Sequence, residues 1–112
     1  MKTMTVRGVS VAAGANSGNV LTGKLFEFLE RPSVVSVYPV GSAVGLQLTF
    51  NVGGEVFVQG EEISGANRFP TRNEDKLADG FGGAGERIVI SFFNPTAGAL
   101  TVFLVVDVNA IA

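Results

Sequence analysis

Val44-Gly45-Leu46-Gln47-Leu48-Thr49-Phe50-Asn51-Val52 alternates apolar and polar side chains at every position, and two glycines, Gly53-Gly54, follow it. Successive side chains of a strand point to opposite faces, so this alternation gives one apolar row and one polar row. A glycine pair after such a run marks a tight reversal. Val56 and Val58, with Phe57 between them, then read as the returning strand, and residues 44–59 are predicted to form a β-hairpin.

The same reading extends in both directions. Residues 86–93 and 99–108 are apolar runs separated by Asn94-Pro95-Thr96-Ala97-Gly98, which is turn chemistry because proline fixes φ and glycine accepts positive φ; they read as a second hairpin. In its last strand Leu100, Val102, Leu104, Val106 and Val108 share one face. The other face carries Thr101, Phe103, Val105 and Asp107. Residues 33–40 form a further strand bounded by Arg31-Pro32 and by Pro39-Val40-Gly41, since proline cannot donate to a central ladder. Residues 19–30, with Leu21, Leu25, Phe26, Phe28 and Leu29, read as a strand, with a short helical turn over 25–30 as the alternative. Residues 3–12 are rich in Val and Thr and run into a glycine-bearing connector, so they form either an edge strand or an arm. The strand signal stops between residues 64 and 85, where a third of the charged residues collect ahead of Gly80-Phe81-Gly82-Gly83-Ala84-Gly85. Roughly six to eight short strands with no long amphipathic helix predict an all-β, antiparallel two-sheet β-sandwich that is jelly-roll-like. Residues 1–112 read as one domain, with 1–18 as a possible extended N-terminal arm.

Composition narrows the chemistry. The chain has no cysteine, histidine or tryptophan. Disulfide frameworks and thiolate metal sites are excluded, and the usual general base and strongest nucleophile are missing together. Eight basic against ten acidic residues make no electropositive field for nucleic acid. No apolar run reaches the roughly 20 residues of a spanning helix, and the first residues carry no signal-peptide core. The reading is therefore a protein without cofactor or metal, not an enzyme, and with neither nucleic acid nor membrane as partner.

The motifs that suggest chemistry have plainer explanations. Gly80, Gly82 and Gly85 match a dinucleotide-binding spacing, but no strand precedes them and no helix follows. Glu74, Asp75 and Asp79 lack the alternating pattern of a calcium loop and are interleaved with Arg72 and Lys76. Glu61 and Glu62 are adjacent on a strand and point apart, so they cannot flank one glycosidic bond. The triplet Asn94-Pro95-Thr96 is closed to glycosylation by its proline. Arg68-Phe69-Pro70-Thr71-Arg72 carries residue types enriched at interface hot spots, although Phe69 would equally pin the loop to the sandwich.

What stands out is apolar surface. The chain is 46% hydrophobic and 16% charged, against about 25% charged in ordinary domains. Strands apolar on both faces, such as those with Phe103 and Val105 or with Val34, Val35 and Val37, must be covered on both. A sandwich of this size has little material for a third layer, which predicts cover by neighbouring subunits. The expected contact surface is Val6, Val9 and Val11 of the N-terminal segment, Arg68, Phe69, Arg72, Glu74, Asp75, Lys76 and Asp79 of the charged loop, and Phe103 with Val105.

The Val/Thr-rich N-terminus, the alternating strand before Gly53-Gly54, the charged loop and the closing Ile88-Val89-Ile90-Ser91-Phe92-Phe93-Asn94-Pro95 and Val102-Phe103-Leu104-Val105-Val106-Asp107-Val108 runs resemble small jelly-roll structural proteins of tailed bacteriophages, the decoration or cement proteins of capsids being nearest in type. The resemblance is one of style across most of the chain. It implies a virion protein that forms homo-oligomers, trimers above all, on a shell of major capsid protein or another virion protein, with terminal arms bridging neighbours. The alternative is a carbohydrate-binding β-sandwich, a lectin-like or fibre-tip module, for which the single Tyr38 is a sparse aromatic platform.

Overall fold

The computed structural model describes residues 2–111. Seven strands run in chain order as β1 (Lys2–Val11), β2 (Ser33–Gly41), β3 (Gln47–Val52), β4 (Glu55–Glu62), β5 (Ala78–Gly82), β6 (Ile88–Phe93) and β7 (Leu100–Ala110). They form two antiparallel sheets, β1-β7-β2-β5 and β4-β3-β6. The protein is an all-β sandwich. The hairpin at Gly53-Gly54 is present as β3 and β4, with Val52 opposite Glu55. Leu46, Leu48, Phe50 and Val52 are all buried, the inner row that the alternation calls for. Val44 is exposed and lies ahead of the strand, because Gly45 at φ +124° turns the chain there.

Around that turn the pairing is nested. β3 pairs with β4, β2 with β5 and β1 with β7, while residues 14–29 run beside β6. Gly14 donates to the Asn94 carbonyl at 2.7 Å, Ser17 to Phe92 at 2.9 Å, Val20 to Ile90 at 2.9 Å and Leu29 to Glu86 at 2.9 Å. The chain is thus doubled on itself and folded over, and the inner faces of the doubled ribbon meet as one core.

Four expectations change. Residues 86–108 are not a hairpin, since β6 belongs to one sheet and β7 to the other. The turn between them crosses the sandwich, held by the buried Asn94, whose Nδ2 donates to the carbonyls of Val11 at 2.9 Å and Gly98 at 2.8 Å. Alternation tells which face a side chain takes, and says nothing about which sheet a strand joins. Residues 19–30 are not a strand. Lys24 donates to Leu21 at 2.9 Å and Thr22 to Asn19 at 3.2 Å, which are successive turns, and the segment inserts Leu21 and Leu29 into the core.

Residues 64–85 contain a strand after all. β5 has poor strand propensity, and a Cβ at Gly80 would lie 2.8 Å from the rings of Phe50 and Phe57. Only a glycine lets β5 lie this close over the other sheet. β2 also runs through Pro39. The Val37 carbonyl accepts from Leu77 on the β5 side, so Pro39, two residues on, turns its missing donor to that same side, beyond the last β5 partner.

Residues 2–18 form no projecting arm; Met1 lies outside the described residues, as does Ala112. β1 is an edge strand with Met4, Val6 and Val11 buried and Val9 packed against the core. Val6, Val9 and Val11, expected on a contact surface, therefore face inward. The reason is the bulge at Gly8, φ +85°, where Arg7 pairs with Phe103 and Val9 with Val102. One extra residue moves the inward set from even to odd positions.

Replacing Gly80 by Val is expected to overpack the core by about 1–3 kcal/mol and to lower Tm by about 5–15 °C in thermal unfolding followed by circular dichroism. Gly54→Ala, with open space at its Cβ, is the control. Equal melting of both variants would contradict the close approach of β5.

Candidate interaction surfaces

Residues 64–77 lie over the outer face of the four-stranded sheet. Gly41 donates to the Ser64 carbonyl at 2.7 Å, Asn67 to Gly41 at 3.0 Å and Leu77 to Val37 at 2.9 Å, which fastens the segment along β2. Arg72 reaches across to β7, its Nε 2.6 Å from Asp107 Oδ2 and its Nη2 2.9 Å from Oδ1. Thr3 of β1 donates to the same carboxylate at 2.8 Å. Arg7, also on β1, stacks 4.6 Å from the Phe69 ring centroid.

Under this cover Tyr38, Val105 and Asp107 are buried, Asp107 to 1% exposure. Val105 is therefore no outward contact residue, and Phe103 beside it is half-buried. The second apolar face is closed by the chain itself. A loop of about 14 residues, rich enough in polar groups to bond the strands beneath it, suffices as the third layer, so the two-sided strands do not by themselves require a neighbouring subunit.

The charged residues of the loop are likewise engaged within the molecule. Arg68 forks onto Asp75, which also accepts from the Thr71 amide at 2.7 Å, and it reaches Glu74 at 3.2 Å. Lys76 lies 2.7 Å from Asp79, to which Ser36 also donates. Glu74, Asp75 and Asp79 thus each answer a cation and do not converge, and no group of three potential metal-ligating residues occurs among the described residues. The Arg72 guanidinium holds the Asp107 carboxyl below the usual range against the opposing effect of burial, and Arg68 does the same for Asp75. Elsewhere the Gly23 amide and Arg87 lower Glu27, which ties residues 19–30 to the body.

The exposed features lie elsewhere. Where β1 begins and β7 ends, a pocket of about 280 Å³ opens among Lys2, Phe26, Phe28, Leu29, Arg31 and Val108. Lys2 Nζ sits 4.8 Å from the Phe26 ring centroid and 2.7 Å from Glu30 Oε1. Phe28 is 55% exposed, and next to the lining residues in sequence Leu25 is 90% and Ile111 63% exposed. The reading of residues 19–30 as a strand hid this patch. Its signal was Leu25-Phe26-Glu27-Phe28-Leu29, apolar on both parities in a segment that has only one wall to pack against.

The sheet edges differ in how they end. Residues 14–29 seal β6, whereas β1 and β4 are terminal strands of their sheets. β1 carries Lys2 and Arg7 and no acid; β4 carries Glu55, Glu61 and Glu62 and no base. No family model, curated protein or solved structure matches the chain.

The lowered carboxyls set the acid response. A group whose folded value lies below its unfolded one, about 3.9 for Asp and 4.3 for Glu, contributes fully above the unfolded value and loses that contribution as pH falls through the folded one. Urea unfolding midpoints are therefore expected to hold steady from neutral pH down to about 5 and to drop below about 4. Asp107→Asn should be less stable at neutral pH and lose less on acidification, and an unchanged acid limb would contradict the role assigned to Asp107.

Proposed function

We propose that the chain is a non-catalytic assembly module, a small structural virion protein of the capsid decoration or cement type. It docks on a larger shell protein by the pocket end and clusters in symmetric homo-oligomers, trimers being the favoured form. The observation that carries the reading is the exposed Phe28 lining the pocket, with the exposed Leu25 and Ile111 next to lining residues in sequence. The loop covers Tyr38 and Val105 on the outer face of the four-stranded sheet, yet large apolar side chains stay in water at the pocket end, and such patches mark sites of protein association.

The strand order supports the phage-type resemblance. With residues 14–29 counted beside β6 as an irregular eighth member, each sheet has four members and the pairs nest from the termini to Gly53-Gly54. Eight members in two sheets are the count of a double-sheet jelly roll. The sugar-binding alternative gains nothing from Tyr38, which lies beneath the loop.

Phe28→Asp combined with Leu25→Ser should leave Tm nearly unchanged, because both side chains are exposed. Cosedimentation with the shell particle should weaken more than tenfold, which corresponds to about 1.4 kcal/mol, since one buried apolar side chain contributes about 1.5–3 kcal/mol. Undiminished cosedimentation would remove the pocket end from the interface.

A further inference from the structure

We propose that copies of this chain associate side by side, with β1 of one copy lying along β4 of the next in the same direction, so that the assembly closes as a ring about an axis parallel to the strands. The proposal rests on the assembly reading in that copies must meet, but it concerns the β1 and β4 edges, which share only Lys2 with the pocket end.

Charge is the first support. Glu55, Glu61 and Glu62 make no ion pair among the described residues, whereas the acids of the loop and of Asp107 all do. The unspent negative charge therefore concentrates on β4. At the opposite side of the sandwich β1 carries Lys2, which is paired with Glu30, and Arg7, which stacks on Phe69, and Lys24 reaches the edge to donate to the Thr5 carbonyl at 3.1 Å. Charges on edge strands ordinarily prevent stray pairing. Here their signs are segregated: β1 repels β1 and β4 repels β4, while β1 attracts β4. That arrangement disfavours two-fold pairing of β1 with β1 or of β4 with β4 and favours the heterologous contact.

Direction is the second support. β2 runs from Ser33, which faces Gly82 of β5, towards Gly41. A Cβ at Gly82 would meet Val52 and Leu29, and one at Gly41 would meet Leu46. β3 therefore runs opposite to β2, and β4, antiparallel to β3, runs with it. β1 and β2 are both antiparallel to β7. β1 and β4 thus run the same way, and a rotation about the strand direction brings one copy's β4 beside the next copy's β1. Glu55 then lies level with Lys2, and Glu61 and Glu62 level with the Arg7 half of β1. Bulges at Gly8 and within β4 confine backbone pairing to short stretches. The exposed Val56 on β4 adds apolar area at the seam.

The test is the mass of the purified chain at about 100 μM by light scattering, with the association constant taken from dilution. The wild type should be a closed oligomer. Arg7→Glu with Lys24→Glu should weaken association more than tenfold, as should Glu61→Lys with Glu62→Lys, and all four changes in one chain should restore it. Because the chain has no cysteine of its own, Thr5→Cys with Gln59→Cys should give disulfide ladders longer than a dimer, while Thr5→Cys alone should give none. A monomeric wild type, reversals without effect, or a Thr5→Cys dimer by itself would each overturn the proposal. The Phe28→Asp chain separates the two readings: it should keep the ring and lose the shell. Shell binding by the Glu61→Lys and Glu62→Lys chain as a monomer would leave the docking reading in place.

Discussion

Everything in this fold depends on closing the first strand against the last. β1 and β7 are separated by almost the whole chain, and their pairing is the outermost of the nested set centred on Gly53-Gly54. Loop-closure entropy grows slowly with length, so the cost is bearable. It is nevertheless met before any inner-face contact of β1 repays it, and folds made of such distant pairs form slowly. Arg72 addresses this closure directly. From the covering loop it binds Asp107 of β7, while Thr3 of β1 donates to the same carboxylate. Three elements distant in sequence are joined at one buried charge, and a buried charge tolerates the loss of its partner poorly.

The same loop explains how a chain with few charges closes its larger sheet. Arg68, Arg72, Asp75, Lys76 and Asp79 are spent on pairs that hold residues 64–77 over Tyr38 and Val105. Such partly exposed pairs contribute little individually. Their value is geometric, since they satisfy polar groups that the loop would otherwise strand over an apolar sheet. Charge used for internal cover is not available for the rim, and for that reason the acids left over on β4 are conspicuous.

The class of the fold was legible because burial imposes period two wherever one face is covered, and Leu46 to Val52 shows it without interruption. The hairpin from residue 86 to 108 was misread because Asn94-Pro95-Thr96-Ala97-Gly98 offers the same turn residues whether the chain returns to its own sheet or crosses to the other. β5 was invisible because glycine at positions 80 and 82 answers a steric demand from Phe50, Phe57 and Val52, which only the folded sandwich creates. The Gly8 bulge could have been found: Met4 and Val6 are even, Val9 and Val11 odd, and a glycine sits between them. Of the residues expected at an interface, Val6 and Val11 pack into the core, and Val105 lies beneath the charged loop. The surplus of apolar residues was real, and part of what stays exposed lies at Leu25 and Phe28, where turns obey no period that sequence could display.

The two surfaces are linked by direction. The pocket lies where β1 begins, at one end of the strands, and an axis parallel to the strands leaves every copy in a ring with that end facing the same way. Leu25, Phe28 and Ile111 of all copies would then form one apolar pole. A single pocket of this size binds a protein surface weakly, because ordering and desolvation consume much of the gain. Several pockets presented together convert later contacts into intramolecular ones, and avidity then exceeds any single contact by orders of magnitude. In the proposed ring the edge charges would fix the copies and align the pockets, and a domain with one small apolar end would thereby acquire a binding face broad enough to grip a shell.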